Sequence, residues 1–353
     1  HLSIRRQRQM CIRDRVYILG QGQTKRGYFP ERDLRSLVVE AALKALDDAG
    51  VEMAEVQQLW LSHYPTLSDM QMTAGQVVVD TLGVSGRMGC ICVEQACTSG
   101  GQALHDAWLA VASGRYDCIL VLGVAKMQDS FDHDNFWESG FNPFLDRLGI
   151  KLNIKQAHLG YNHQYGVTEE DYAAYYELLW WYGVKNPVGM VYGQKPRNRE
   201  DYYKTPYSFY PYRPGTSPYA CDGASAVVLG SQEALRRHHP PAEVAIAAIS
   251  HKEESSYYAH GLDYGYGDAP QPYILYHAAS VRNAIDEAYR LAGIGPLDLD
   301  VFQPHDSSIE VTWSYVDSLG HPEIPKGGAP KFITRGEGYP RGLLPILTSA
   351  TSK

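Results

Sequence analysis

Apolar and polar positions alternate in two rhythms along most of this 353-residue chain. "VYILGQGQT", from Val16, reads as a strand, and Asp33 then opens an amphipathic helix that runs through Ala49 and stops at Gly50. "VQQLWLSHY" is a second strand and "MTAGQVVVDTLG" a second helix. "GCICVE", residues 89–94, is a short apolar strand fit for burial on both faces. Ala103, Leu104, Ala107 and Val111 then recur at the spacing of a helix face, which predicts a helix from Thr98 to about Ser113. "DCILVLGVAKM" is another buried strand. This strand–helix alternation predicts a sheet covered by helices, an α/β class. From about Gln128 to Tyr219 the rhythm stops, and the stretch is dense in Tyr, Trp, Pro and Asn. It resumes with "GASAVVLGS", "VAIAAIS", a helix around 280–292, the strand-like "LDLDVFQPHD", and a helix from Ser307 to about Leu319. The middle segment therefore reads as an insertion between two halves.

An internal repeat supports the two halves. "AALKALDDAGVEMAEVQQLWL" matches "AIDEAYRLAGIGPLDLDVFQP" in pattern, with Ala49-Gly50 over Ala292-Gly293, Ala45 over Ala288, and Leu59 over Phe302. In each copy an amphipathic helix ends at Ala-Gly, crosses a short acidic turn and enters a buried strand. Equivalent placement in both halves argues for duplication.

Composition narrows the classes. Hydrophobic residues make up 44% and charged residues 20%, the balance of an ordinary globular protein, and the net charge of -8 excludes a general nucleic-acid binder. No apolar run reaches the roughly twenty residues of a membrane span. The six cysteines, Cys11, Cys90, Cys92, Cys97, Cys118 and Cys221, form no CxxC pair and have no His partner at zinc spacing, so no metal site is expected. Free thiols in strand-like runs suit a reducing, cytoplasmic setting.

The chemistry concentrates at "EQACTSGGQALHDAW". Cys97 lies between a strand and a helix, in a joint of small residues (Thr98, Ser99, Gly100, Gly101) that allows a sharp turn and close backbone approach. A helix start supplies unsatisfied N–H groups and partial positive charge, which would lower the thiol pKa and hold a developing oxyanion. The alternative is a buried structural cysteine at a turn. His305, in "QPHDSS" between a strand and a helix, could donate an N–H to an oxyanion or simply bond to backbone, and Asp306 reads as a helix cap or an orienting partner.

These stretches resemble thiolases. "EQACTSGGQALHDAWLAVASGRYDCILVLGVAKM" is similar to the family's nucleophile region. "YGVTEEDYAAYY" with Asn186-Pro187 resembles the loop domain of its lipid-transfer (sterol carrier) branch, and "CDGASAVVLGS" and "QPHDSSIEVTWSYVDSLG" resemble two further motifs in family order. The resemblance implies a five-layered αβαβα fold from two duplicated halves with an inserted loop domain. The corresponding divisions are 16–127 for the first half with its nucleophile, 128–219 for the insert, 220–240 for the end of the first half, and 241–353 for the second half.

It further implies an acyltransferase acting on coenzyme A thioesters in lipid, fatty acid or steroid metabolism. Cys97 would be the nucleophile that forms an S-acyl intermediate, and His305 the oxyanion-binding histidine. The thioester is a substrate, and no permanently bound cofactor is expected. A homodimer is implied, with 89–94 along its interface. Two other readings stay open: a retro-aldol lyase on steroid side-chain CoA thioesters, with an OB-fold/zinc-ribbon accessory protein, and a non-catalytic acyl-CoA or lipid binder.

Several features depart from the family pattern. Ala125 replaces the usual Glu before Lys-Met, and Ser307 receives no chemistry. The Gly-His-Pro at 320–322 falls too early in the chain, so His321 reads as a surface-loop histidine. The aromatic-rich insert could accept a bulky acyl group or could be packing, and Lys195, Arg197 and Arg199 could meet CoA phosphates or be a solvated turn. The Arg-rich residues 1–15 lie outside the family pattern, as a transit peptide or an artefact of the gene boundary. The second half is expected to be truncated after "LLPILTSATSK", before the family's later His and Cys motifs.

Overall fold

The structure, a computed structural model, describes residues 15–63, 73–127, 160–207, 210, 212–216, 221–253 and 278–349. Expectations for Cys11 and for most of the Arg-rich segment fall outside these residues. The chain divides into two compact units, one formed by His1–Asp132 with Cys221–His251, the other by His133–Ala220 with Lys252–Lys353.

The first unit is the predicted covered sheet. Its strands are β1 (Val16–Gln23), β2 (Gln58–His63), β3 (Cys90–Val93), β4 (Cys118–Lys126), β5 (Asp222–Gly230) and β6 (Val244–Ile246), in the order β3-β2-β4-β5-β1-β6. β2 runs parallel to β3 and β4, whereas β5 is antiparallel to β4 and β1. Side chains alternate between faces along each strand. Leu59, Leu61, Leu120 and Leu122 meet the helices α1 (Leu34–Ala49) and α2 (Ala74–Thr81), while Trp60, Ile119 and Val121 meet α3 (Ser99–Ala112). Both faces of β4 are thus covered, which explains its unbroken apolar run.

Asp33 caps α1 as expected, its side chain accepting the Ser36 N–H at 2.9 Å. Gly50 ends the helix in the left-handed region at φ 63°. The repeat partner Gly293 does the same at φ 72°, after the helix Ala278–Ala292. Each glycine is followed by a short 3-10 turn, Met53–Glu55 and Pro296–Asp298. The matched sequence pattern therefore has matched backbone chemistry, because only glycine takes a positive φ without steric cost.

β3 departs from expectation. It forms an edge of the sheet, and within this chain Ile91 and Cys92 are exposed. A second difference lies in "LDLDVFQPHD". Among the described residues this segment forms no strand, only an isolated parallel bridge from Phe302 to Ile346. Phe302 N–H donates to Pro345 O at 2.9 Å, and further ladder bonds need a neighbouring strand that the described residues do not supply.

The second unit is built on aromatic packing. Helix α4 (Glu169–Gly183) buries residues all round, including Tyr172, Tyr175, Tyr176, Leu179 and Trp180. They share a core with Ile309, Trp313 and Val316 of α8 (Ile309–Asp317) and Phe332 of α9 (Ala329–Thr334). Between α4 and α8 in sequence come α5 (Arg199–Lys204), α6 (Gln232–His238) of the first unit, and α7 (Ala278–Ala292). Buried Asp171 anchors the start of α4, accepting from Lys331 Nζ at 2.6 Å and Thr334 Oγ1 at 2.7 Å.

Candidate active site

β3 delivers the chain to a 3-10 turn, Ala96–Thr98, and α3 starts directly after it at Ser99. The turn is tied by polar side chains. Gln95 N–H donates to Ser99 Oγ at 2.8 Å, and Thr98 Oγ1 donates to Gln95 O at 2.8 Å. Ser99 is buried, whereas Cys97 reaches solvent. The glycines were expected to allow close backbone approach. Instead, a Cβ on Gly101 would meet nothing within 4 Å, and one on Gly100 only Ser62 Oγ at 3.9 Å. The joint leaves open space beside Cys97 where a substrate could lie.

The Cys97 thiol corrects the sequence reading. Its pKa is raised, because the protein crowding the sulfur disfavours the thiolate more than its own backbone N–H favours it. The sulfur sits inside the 3-10 turn and ahead of the α3 cap, so the helix N-terminus does not dominate its environment. Cys92 was expected to be an inert thiol in an apolar strand, and its surroundings differ from that expectation. It is exposed and pulled down to about 6 by hydrogen bonds from the Cys90 thiol and the Gly75 N–H. Cys118 in β4 is buried, and burial pushes its thiol up to about 12.

His305 belongs to the second unit. It precedes α8 and is half-buried, and burial lowers its pKa while Asp306 opposes this. A neutral imidazole follows, with one N–H to give. Its backbone is held by a chain the sequence did not reveal: Thr312 Oγ1 donates to His305 O at 3.2 Å and is hydrogen-bonded to Tyr175 OH at 2.9 Å. The α8 cap is Ser308, not Asp306 or Ser307, with its Oγ accepting Val311 N–H. Nearby, buried Glu310 accepts from Tyr172 OH at 2.7 Å and from Tyr212 OH, and burial pushes it up to about 8. His321 is buried rather than on a surface loop, its Nδ1 accepting Glu323 N–H at 3.2 Å.

The charges of the insert also sort themselves. Arg199 is occupied by Glu170 and Glu177 and by Thr334 O. Lys195 and Arg197 instead line an open pocket of about 410 Å³ with Lys204 and Asp201. Arg197 stacks over Trp180 at 4.2 Å. Among the described residues no group of three or more His, Cys, Asp and Glu side chains could hold a metal ion, and no helix is long and apolar enough to cross a membrane.

Comparison with known proteins defines the class. Residues 16–178 match the family "Thiolase, N-terminal domain". A solved complex described as "Ltp2-ChsH2(DUF35) aldolase" superposes with a TM-score of 0.75 at 21% identity, covering 95% of this chain and 84% of the other. Residues 16–178 are therefore similar to the thiolase N-terminal domain, and the chain has the thiolase fold.

Within that class its relatives are more particular. The acetyl-CoA acetyltransferase of Methanocaldococcus jannaschii is 28% identical over 82% of this chain and 72% of its own length. Sterol carrier protein 2 of Bos taurus is 26% identical over 93% of this chain and 60% of its own. The resemblance to thiolases and their sterol-carrier branch thus holds along most of the sequence, and the relatives support an acyltransferase.

Proposed function

We propose that this protein is a thiolase-type acyltransferase that makes or breaks a carbon–carbon bond between acyl-CoA units, with Cys97 as the acylated nucleophile. The observation that carries this reading is the joint at 95–101. Cys97, an exposed residue, stands in a strand–turn–helix joint with open space over two glycines. A raised thiol pKa in the free protein is compatible with attack once substrate binding or a base draws off the proton. His305, held neutral, supplies an N–H for the thioester oxygen. The pocket lined by Lys195, Arg197 and Lys204 offers cations to the phosphates of CoA, and one of them, Lys204, is held by Asp201 at 3.0 Å.

The setting we infer is cytoplasmic lipid or steroid metabolism. Among the described residues no cysteine is in a disulfide, which suits a reducing compartment, and the sterol carrier relatives point to lipid. β3, which pairs only with β2 among the described residues, is the surface through which two copies would pair as a homodimer.

A second reading, retro-aldol cleavage of a steroid side-chain thioester with an accessory protein, draws support from the raised Cys97 thiol and from the likeness to the aldolase complex. The tyrosines of α4 offer it no catalyst, being core residues at 0–2% exposure for Tyr172, Tyr175 and Tyr176. Intact mass spectrometry after mixing with short, long or steroid acyl-CoAs decides between the two. An acyl adduct lost in Cys97→Ala supports the acyltransferase. Cleavage of a 17-hydroxy side-chain thioester by Cys97→Ala at the wild-type rate replaces it with the lyase.

A further inference from the structure

His305 stands outside the helix that follows it. The hydrogen-bond ladder of α8 begins at Ser308 O, which accepts Thr312 N–H at 3.1 Å, so the His305 carbonyl lies ahead of it. Two side chains of α8 reach back to the histidine. Thr312 Oγ1 donates to His305 O at 3.2 Å, and the Tyr315 ring meets the imidazole edge-on with centroids 6.5 Å apart. Positions 308, 312 and 315 share one face of the helix, so the cap, the hydroxyl and the ring form one stripe beside the segment that carries His305. Thr312 also shares its proton with Ser308 O at 3.3 Å, the ordinary back-bond of a helical threonine. Its bond to a carbonyl seven residues earlier, outside the helix, is of a different kind.

Thr312 is held in turn from α4. Tyr175 OH meets Thr312 Oγ1 at 2.9 Å, and both residues are 0% exposed. A threonine hydroxyl has one proton to give. With that proton committed to the carbonyl oxygens, Tyr175 is the donor of the pair. Burial, with Asp306 and Glu310 close by, holds the Tyr175 hydroxyl protonated and able to donate. The tyrosine ring serves the core that α4 shares with α8. Its hydroxyl is costly to take out of water, and Thr312 satisfies it.

We propose that Tyr175 and Thr312 are positioning residues for His305, a buried pair of hydroxyls that fixes the imidazole where its N–H meets the thioester oxygen. The role rests on the reading of His305 as the oxyanion donor. Neither residue touches substrate, and no bond forms or breaks at them. A donor stabilises developing charge only when its direction is set beforehand, so a looser 305 segment forfeits part of the effect. The pair also gives the aromatic-rich insert a part in the chemistry. Its helix α4 lies in the core, yet one hydroxyl of that helix reaches the histidine through a single threonine.

The test uses Thr312→Val and Tyr175→Phe, which keep the shape and remove a hydroxyl, with Thr312→Ser, which restores one. In stopped flow with acetyl-CoA, each of the first two should slow acylation about tenfold, less than loss of His305 itself, with affinity for acetyl-CoA unchanged within about twofold. Thr312→Ser should return to within about threefold of the wild-type rate. In a His305→Ala background neither substitution should slow the reaction more than about twofold, because the group they position is gone. Should Thr312→Val fail to fold, Tyr175→Phe, which keeps its ring in the core, carries the same comparison. Histidines isotope-labelled at Cε1 read the position without turnover. The signal lost in His305→Ala should move in both hydroxyl-deleting variants, while those of His63 and His238, in the first unit, stay. Equal slowing with and without His305, wild-type acylation in both variants, or an unmoved His305 signal overturns the proposal. If the signal moves while no acyl-CoA leaves an adduct on Cys97, the positioning of His305 stands and only the acyltransferase reading falls.

Discussion

At the scale of single residues, the turn around Cys97 was legible because strand, small-residue joint and helix are written consecutively. The charge preference of its thiol was not. That depends on how many atoms of the folded chain crowd the sulfur, and on a 3-10 turn that sets it back from the α3 terminus. Cys92 was misread for a related reason, since an apolar strand suggests burial and β3 is an exposed edge. If Cys97 is the nucleophile and His305 the oxyanion donor, His305→Ala should slow the burst of acyl-enzyme about a hundredfold, near 2.7 kcal/mol. CoA affinity should stay within about twofold, and stopped-flow release of CoA reads both.

Glu310 gives a pH prediction at the same scale. Its carboxyl is protonated in the folded protein up to about pH 8 but ionises near 4.3 when unfolded. Between those values the unfolded state binds fewer protons, so stability falls as pH rises, by at most about 1.4 kcal/mol per pH unit. Below that window the contribution is fully present, and above it the loss is complete. Glu310→Gln keeps an acceptor for Tyr172 and Tyr212 and should flatten the slope. Urea unfolding at several pH values shows it, and equal slopes in both proteins would remove the buried neutral acid from the account.

At the scale of elements, the sequence disclosed the periodic helices and strands of the first unit with their caps, because each is specified locally. Pairings between distant motifs were hidden. Lys126 ends β4 and Asp222 begins β5, facing each other in register, and their side chains meet at 2.8 Å with 1% and 0% exposure. Asp222 also accepts Phe29 N–H, and Lys126 donates to Phe29 O. Two residues that stand in the family motifs "GVAKM" and "CDGASA" are therefore clasping the ends of two strands. Their motifs are far apart in the chain, and only the antiparallel register joins them. Replacing Asp222 with Ala leaves a buried ammonium without its carboxylate and should cost about 3–5 kcal/mol. Chemical denaturation would measure this. A loss under about 1 kcal/mol would mean the lysine finds water or another partner.

At the scale of the molecule, the insert proved to be the core of its own unit. Among the described residues its buried Tyr and Trp side chains fill space between α4, α8 and α9, so their aromatic density serves packing. The second half was only partly legible: its helix, left-handed glycine and 3-10 turn repeat the first half, yet the strand that should follow has only the bridge at Phe302. Assembly turns on β3. Among the described residues β3 pairs only with β2, and such an edge, carrying Ile91 at 44% exposure, is a template for another strand. A second copy pairing along β3 would extend the sheet, cover Ile91, and fix the strand that enters the Cys97 turn. The protein should therefore sediment as a dimer at micromolar concentration, and Ile91→Lys, which places a charge on that edge, should convert it to monomer. The same variant should acylate more slowly, because the turn loses its support. A wild-type monomer, or a dimer indifferent to the lysine, would place the contact elsewhere and leave β3 an uncovered edge.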